Sequence, residues 1–171
     1  MERRAFEFRA SAEGVIEGTA IPYGAVATIG DFTERFLPGS VTFGSVIANR
    51  QHDRHKPLAR TDGGGLTLTD SATELRARIE LPDTTDGRDV RELVKRGVLR
   101  GLSVEFQAIR DEWREAERTI HQATVTGLAV VDTGAYAGAT VAEVREALDA
   151  MRTGRTEYAG PEEVMRLWPS I

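Results

Sequence analysis

The chain contains no cysteine. Disulfide frameworks, thiolate zinc sites and cysteine nucleophiles are therefore excluded together. No apolar run approaches the ~20 residues that a membrane-spanning helix needs. The first residues, Met1-Glu2-Arg3-Arg4-Ala5-Phe6-Glu7-Phe8, carry charge where a secretory signal would be apolar. Positive charge is not in excess. Lys and Arg number 22 against 27 Asp and Glu, a net charge of −5, which gives no global reason to expect nucleic acid as a partner. Histidine is scarce, with three copies at positions 52, 55 and 121. Internal repeats and low-complexity stretches are missing as well. What remains is an ordinary composition, 40% hydrophobic and 29% charged over 171 residues, which fits a globule with one core.

Alternation of apolar and polar residues predicts strands at 5–10, 14–23, 46–48, 66–69, 74–81, 99–109 and 119–131. Pro22 restricts the second to an edge or an end, because proline donates no ladder hydrogen bond. Residues 24–35 read as a loop, 36–40 as a turn into a short segment, one helical turn that Ser40 would cap, and 111–117 as a polar turn or hairpin tip. Helices are predicted at 86–96, 142–151 and 162–168. In the first, Val90, Leu93 and Val94 make the apolar stripe, Thr84 or Thr85 caps the start, and Gly97 occupies the left-handed position after the end. The fold class expected is α+β: a mainly antiparallel β-barrel of about seven strands flanked by two or three helices. Closure into a barrel is favoured because it removes sheet edges. The domain expectation is one folded unit over 1–151, followed by a polar connector and short C-terminal helix over 152–171. The triple glycine at 63–65 lacks the following helix and lysine of a phosphate cradle.

Two short segments carry candidate chemistry. Asn49-Arg50-Gln51-His52-Asp53-Arg54-His55 puts a histidine where a strand ends, and Gly101-Leu102-Ser103-Val104-Glu105-Phe106 puts a serine inside an apolar strand. Leu102, Val104 and Phe106 share one face, and Gly101, Ser103 and Glu105 the other. A serine nucleophile with a histidine base is one reading, since the imidazole titrates near neutral pH. The bland reading is a strand serine and a surface-loop histidine. His55 sits in a charged stretch and reads as solvated. His121 falls on the side of Ala123 and Val125 and would orient the His52 imidazole if its strand ran beside Ser103. A third reading is zinc bound by His52 and His55 with Asp53 or His121, although this spacing lacks the helix and the glutamate base of a metallohydrolase.

Taken in order, several segments resemble the prohead maturation proteases of tailed phages and gene transfer agents, distant relatives of the herpesvirus assemblins. The segments are Gly18-Thr-Ala-Ile-Pro-Tyr-Gly24, Glu34-Arg-Phe-Leu-Pro-Gly39, His52 with Pro57-Leu58-Ala59-Arg60, Gly101-Leu-Ser103-Val-Glu-Phe106, and the late strand running to Tyr136. The resemblance implies a serine endopeptidase on an assemblin-like barrel, with Ser103 as nucleophile, His52 as base and no cofactor or metal. Phage members commonly carry Glu-Val-Ser in the late strand, where this chain reads Gly127-Leu128-Ala129. For the third member His121 is therefore the first choice, with Asp132 and Glu105 after it. The implied substrates are the scaffold or the scaffold-like arm of the major capsid protein, cut inside the immature capsid in the host cytoplasm. Self-cleavage is implied too, with 152–160 as the exposed candidate. A homodimer is a further implication, with the helix at 142–151 as a candidate interface, although its apolar stripe reads rather as core; nucleic acid and membrane are not expected partners. Two competing readings are a capsid-assembly module with weakened catalysis and a metal-dependent hydrolase.

Overall fold

The computed structural model describes residues 2–10 and 14–132, with the side chains of 5–10 excepted. The helices expected at 142–151 and 162–168 and the connector at 152–160 lie outside the described residues. Ten strands form, β1 Glu2–Ala10, β2 Val15–Pro22, β3 Ala27–Ile29, β4 Phe32–Phe36, β5 Val41–Arg50, β6 Asp53–Arg60, β7 Leu66–Asp70, β8 Glu74–Glu80, β9 Gly101–Arg114 and β10 Glu117–Val131. One helix, α1 Thr85–Lys95, joins β8 to β9. Its start is capped by the Thr84 hydroxyl, which accepts from the Gly87 N–H at 3.2 Å. Gly97 follows its end at φ +70°, where a side chain would be strained.

The strands pair in the order β3-β4-β10-β9-β1-β2-β8-β7, and β5 joins as a branch between β10 and β6. One side of β10 is shared by two parallel partners, β4 along residues 117–120 and β5 along 123–130. Its other side pairs with β9 throughout.

The expected barrel of about seven strands with two or three helices is corrected by this arrangement. The sheet is open: only an isolated bridge, Arg60 to Gly65, lies between β6 and the start of β7, and a one-residue bridge is not a ladder. Among the described residues there are ten strands and a single helix. The three extra strands are β3 and β4, in the stretch read as a loop, and β6, in the stretch read as charged and irregular. The supposed tip at 111–117 is strand except at Glu115 and Ala116. β4, β6 and the polar end of β9 escaped because polar residues on both faces erase the alternation that marks a half-buried strand, and β3 because three residues are too few to show a period. The helical turn expected after 36–40 does not form: a tight turn at Pro38 and Gly39 leads directly into β5.

The core is built from Ile16, Ile79, Leu75, Leu102, Val104, Phe106, Val46 and Leu128, all fully buried. At one end it encloses a charged cluster. Arg4 of β1 grips Glu34 of β4 through two hydrogen bonds, 2.6 and 2.8 Å. Arg118 of β10 reaches the same carboxylate at 3.0 Å and also holds Glu2 and Asp111. Glu34 is 2% exposed, and two guanidinium groups share its carboxylate, so the buried acid is not left without partners. The cluster pins the start of β1 against β4 and β10, which fixes the register of β1 on β9.

Candidate active site

Ser103 lies near the start of β9, on a strand flanked on both sides. Its ladder partners are Ala5 of β1 and Ala129 of β10. Glu105 is two residues on, so the pleat puts it on the same face. Its ladder partners are Arg3 and Gly127.

His52 comes from the other side of β10. It is the second residue of the two-residue turn between β5 and β6, with Arg50 paired to Asp53. Gln51 and His52 have φ of +52° and +58°. A hairpin loop of two residues takes this doubly left-handed form because its twist matches the strands, and Asn-Gly usually fills it. Gln-His in that place is strained by ~1–3 kcal/mol per residue, a cost characteristic of functional sites. The Gln51 N–H donates to the Val130 carbonyl at 3.0 Å, tying the turn to the end of β10.

From that turn the imidazole reaches across β10. Its Nε2 lies 2.8 Å from Ser103 Oγ and its Nδ1 lies 2.8 Å from Glu105 Oε1. The crossing is open because β10 presents Gly127 and Ala129 in these two rows. An ionised carboxylate only accepts hydrogen bonds, so Glu105 holds the imidazole proton on Nδ1. Nε2 is left with a lone pair facing the serine hydroxyl. Ser103 and Glu105 are buried, at 3% and 4% exposure. Burial lowers the pKa of His52 below its ordinary value, and the positive charge of Arg3 lowers it further; the Glu105 carboxylate opposes both. A neutral imidazole, ready to take a proton, results.

Gly127 makes room for the carboxylate. A Cβ built there would stand 2.8 Å from Glu105 Oε2 and 3.3 Å from its Cδ. Glu105 cannot swing away without leaving His52 and Arg3. Gly127→Ala is therefore expected to leave the fold intact but to displace the carboxylate, with a fall in kcat/KM of about 10²-fold, the scale of an ångström-level misplacement. Unchanged turnover at an unchanged Tm would sink that account.

Of the residues singled out in the sequence, the structure brings His52, Ser103 and Glu105 together. It does not bring His121. That histidine is eight residues from Ala129 along β10, roughly 26 Å at strand rise, and its Nε2 faces Glu112 Oε2 at 3.3 Å. Alternation gives neither its face nor its row, because the ladder shifts register at His121, between Ile120 and Gln122. Asp132 lies past β10 and is exposed. His55 is exposed on β6, so the H-x-x-H pair does not converge, and among the described residues no group of three or more His, Asp or Glu side chains is placed to hold a metal. Arg3 was missed altogether; the signal for it is an arginine opposite a glutamate across an antiparallel ladder, which needs the register. The late-strand position where the resemblance expects glutamate, Gly127, lies directly opposite Glu105. The carboxylate reaches the same spot from the neighbouring strand.

The family model described as Caudovirus prohead serine protease matches residues 1–153. No curated protein and no solved structure matches the chain.

Proposed function

The chain belongs to the caudovirus prohead serine protease family, and from that membership we propose that Ser103, His52 and Glu105 are its catalytic triad. The supporting observation is the continuous hydrogen-bonded chain from serine hydroxyl to imidazole to carboxylate. The family role is that of a serine protease of the prohead, acting in capsid maturation.

Ser103 Oγ attacks the scissile carbonyl carbon while Nε2 of His52 takes the hydroxyl proton. The imidazolium that forms is stabilised by Glu105, which stays ionised. Nε2 then gives its proton to the leaving amine, and the C–N bond breaks to leave an acyl ester on Ser103. Water, deprotonated by the same nitrogen, releases the acid and restores the hydroxyl.

The substrate is the scaffold or the scaffold-like arm of the major capsid protein, met inside the immature capsid in the host cytoplasm. The protease also cuts itself, with 152–160 as the segment cleaved. Among the described residues no helix is long and apolar enough to cross a membrane. A homodimer is part of this reading, as in the assemblins.

The test is co-expression with the neighbouring capsid protein, read by intact mass, together with treatment by a serine-directed fluorophosphonate. Expected are a truncated capsid protein, a single phosphonate adduct on Ser103, and cleavage that survives a chelator. Full-length capsid protein with no adduct would favour an assembly module that does not cut. Loss of cleavage with the chelator alone would point to metal-dependent hydrolysis.

A further inference from the structure

We infer that Arg3 is a positioning residue of this site: its guanidinium locks the Glu105 carboxylate from the opposite strand and sets how much of that carboxylate's charge reaches His52. The inference rests on the triad reading above and adds a fourth member that acts through Glu105.

Arg3 and Glu105 are a directly opposed pair on the β1–β9 ladder. Arg3 Nε lies 3.0 Å and Nη2 2.9 Å from Glu105 Oε1. This is the oxygen that also accepts from His52 Nδ1. One carboxylate oxygen thus serves two donors, and each competes for its charge. Two guanidinium nitrogens on one atom also fix the rotamer of Glu105, whose other oxygen lies in the space that Gly127 leaves. A lysine would supply the charge at a single point without the planar fork.

The placement of Arg3 is itself enforced. Its neighbour Arg4 points to the opposite face of β1 and is held by buried Glu34. A slip of one residue would move both arginines to the wrong faces. The charged cluster at the core end therefore acts as the anchor that sends Arg3 to the site.

Other charged groups lie on the elements around the imidazole. Asp53 of β6, beside the turn, pairs with Lys56 at 3.7 Å. Arg50 of β5 turns to Asp86 and Asp89 of α1, at 3.9 and 3.8 Å. Arg54 and His55 are on β6, and Asp132 follows β10. Among the groups in bonding contact with the chain of atoms from His52, Glu105 raises the imidazole pKa and Arg3 lowers it.

The experiment is a proton-NMR titration of the His52 imidazole in the full chain, in a Ser103→Ala background that prevents self-cleavage. It is paired with kcat/KM against pH in the enzyme carrying Ser103. In Arg3→Ala the His52 titration should move to higher pH, and the acid limb of the activity profile should move with it. In Glu105→Ala the titration should move the other way. Arg3→Lys should keep the titration near that of the wild type. Because Arg3 is 54% exposed and water screens it, the plateau loss in Arg3→Ala should be modest, about five-fold, with Arg3→Lys recovering only part of it. An unmoved or lowered titration in Arg3→Ala overturns the inference. If that titration rises but the wild type cleaves nothing, the role of Arg3 stands and the protease reading falls.

Discussion

Ser103→Ala is expected to reduce kcat by on the order of 10⁶-fold, the scale of losing the nucleophile from a serine triad. The change should be silent in the fold. Ser103 is buried between Ala5 and Ala129 in the ladder, and removal of its hydroxyl deletes one hydrogen bond to His52 and leaves no cavity larger than that oxygen. Far-UV circular dichroism and Tm should match the wild type while the capsid protein stays full length. A variant that still cleaves at a tenth of the wild-type rate would remove Ser103 from the mechanism. The result separates chemistry from assembly, because the variant keeps every surface that the wild type would use to enter a shell.

Glu105→Ala should follow at about 10⁴-fold in kcat, comparable to removal of the acid from other triads. The argument turns on the tautomer. Without an acceptor at Nδ1 the imidazole proton is free to sit on Nε2, which then has no lone pair for the Ser103 hydroxyl. The loss of the carboxylate also leaves the forming imidazolium uncompensated. Glu105→Gln is expected to be milder than Glu105→Ala. Arg3 donates its Nε–H to the Oε1 position, with Nη2 2.9 Å from the same atom, and so keeps an amide oxygen there rather than an amide nitrogen, which preserves the proton on Nδ1. Single-turnover rates for the two variants check this order; a glutamine variant as slow as the alanine one would show that charge, not tautomer, is what Glu105 supplies.

Some of this site was legible in the chain. The alternation along residues 101–106 gives Ser103 and Glu105 a common face, and that holds whatever the partner strands are. His52 stands out because it follows an apolar strand. What the sequence withheld was the row. Which residue of β10 lies beside Ser103 depends on three register shifts in the β9–β10 ladder and on the parallel pairing of β5, and none of these leaves a periodic trace. His121 shares a strand with Ala129 and is far from it for that reason. The fold was legible where one face is dry, as in β2, β8 and β10, and at α1, whose caps are written in Thr84 and Gly97. It was illegible in β4 and β6, where strands are held by ladder bonds with polar groups on both sides, and in β3, which is three residues long. Closure was overestimated because removing edges is a general tendency, whereas here the strands at the gap meet at a single bridge.

The two-residue turn that carries His52 has a consequence for latency. Ser103 and Glu105 sit two residues apart on one flanked strand, so the ladder fixes the spacing of their backbones. The imidazole arrives from elsewhere, on a loop too short to absorb an insertion and held by one backbone bond to Val130. In a protease of this design the turn is the part that can move without disturbing the strand that carries Ser103 and Glu105.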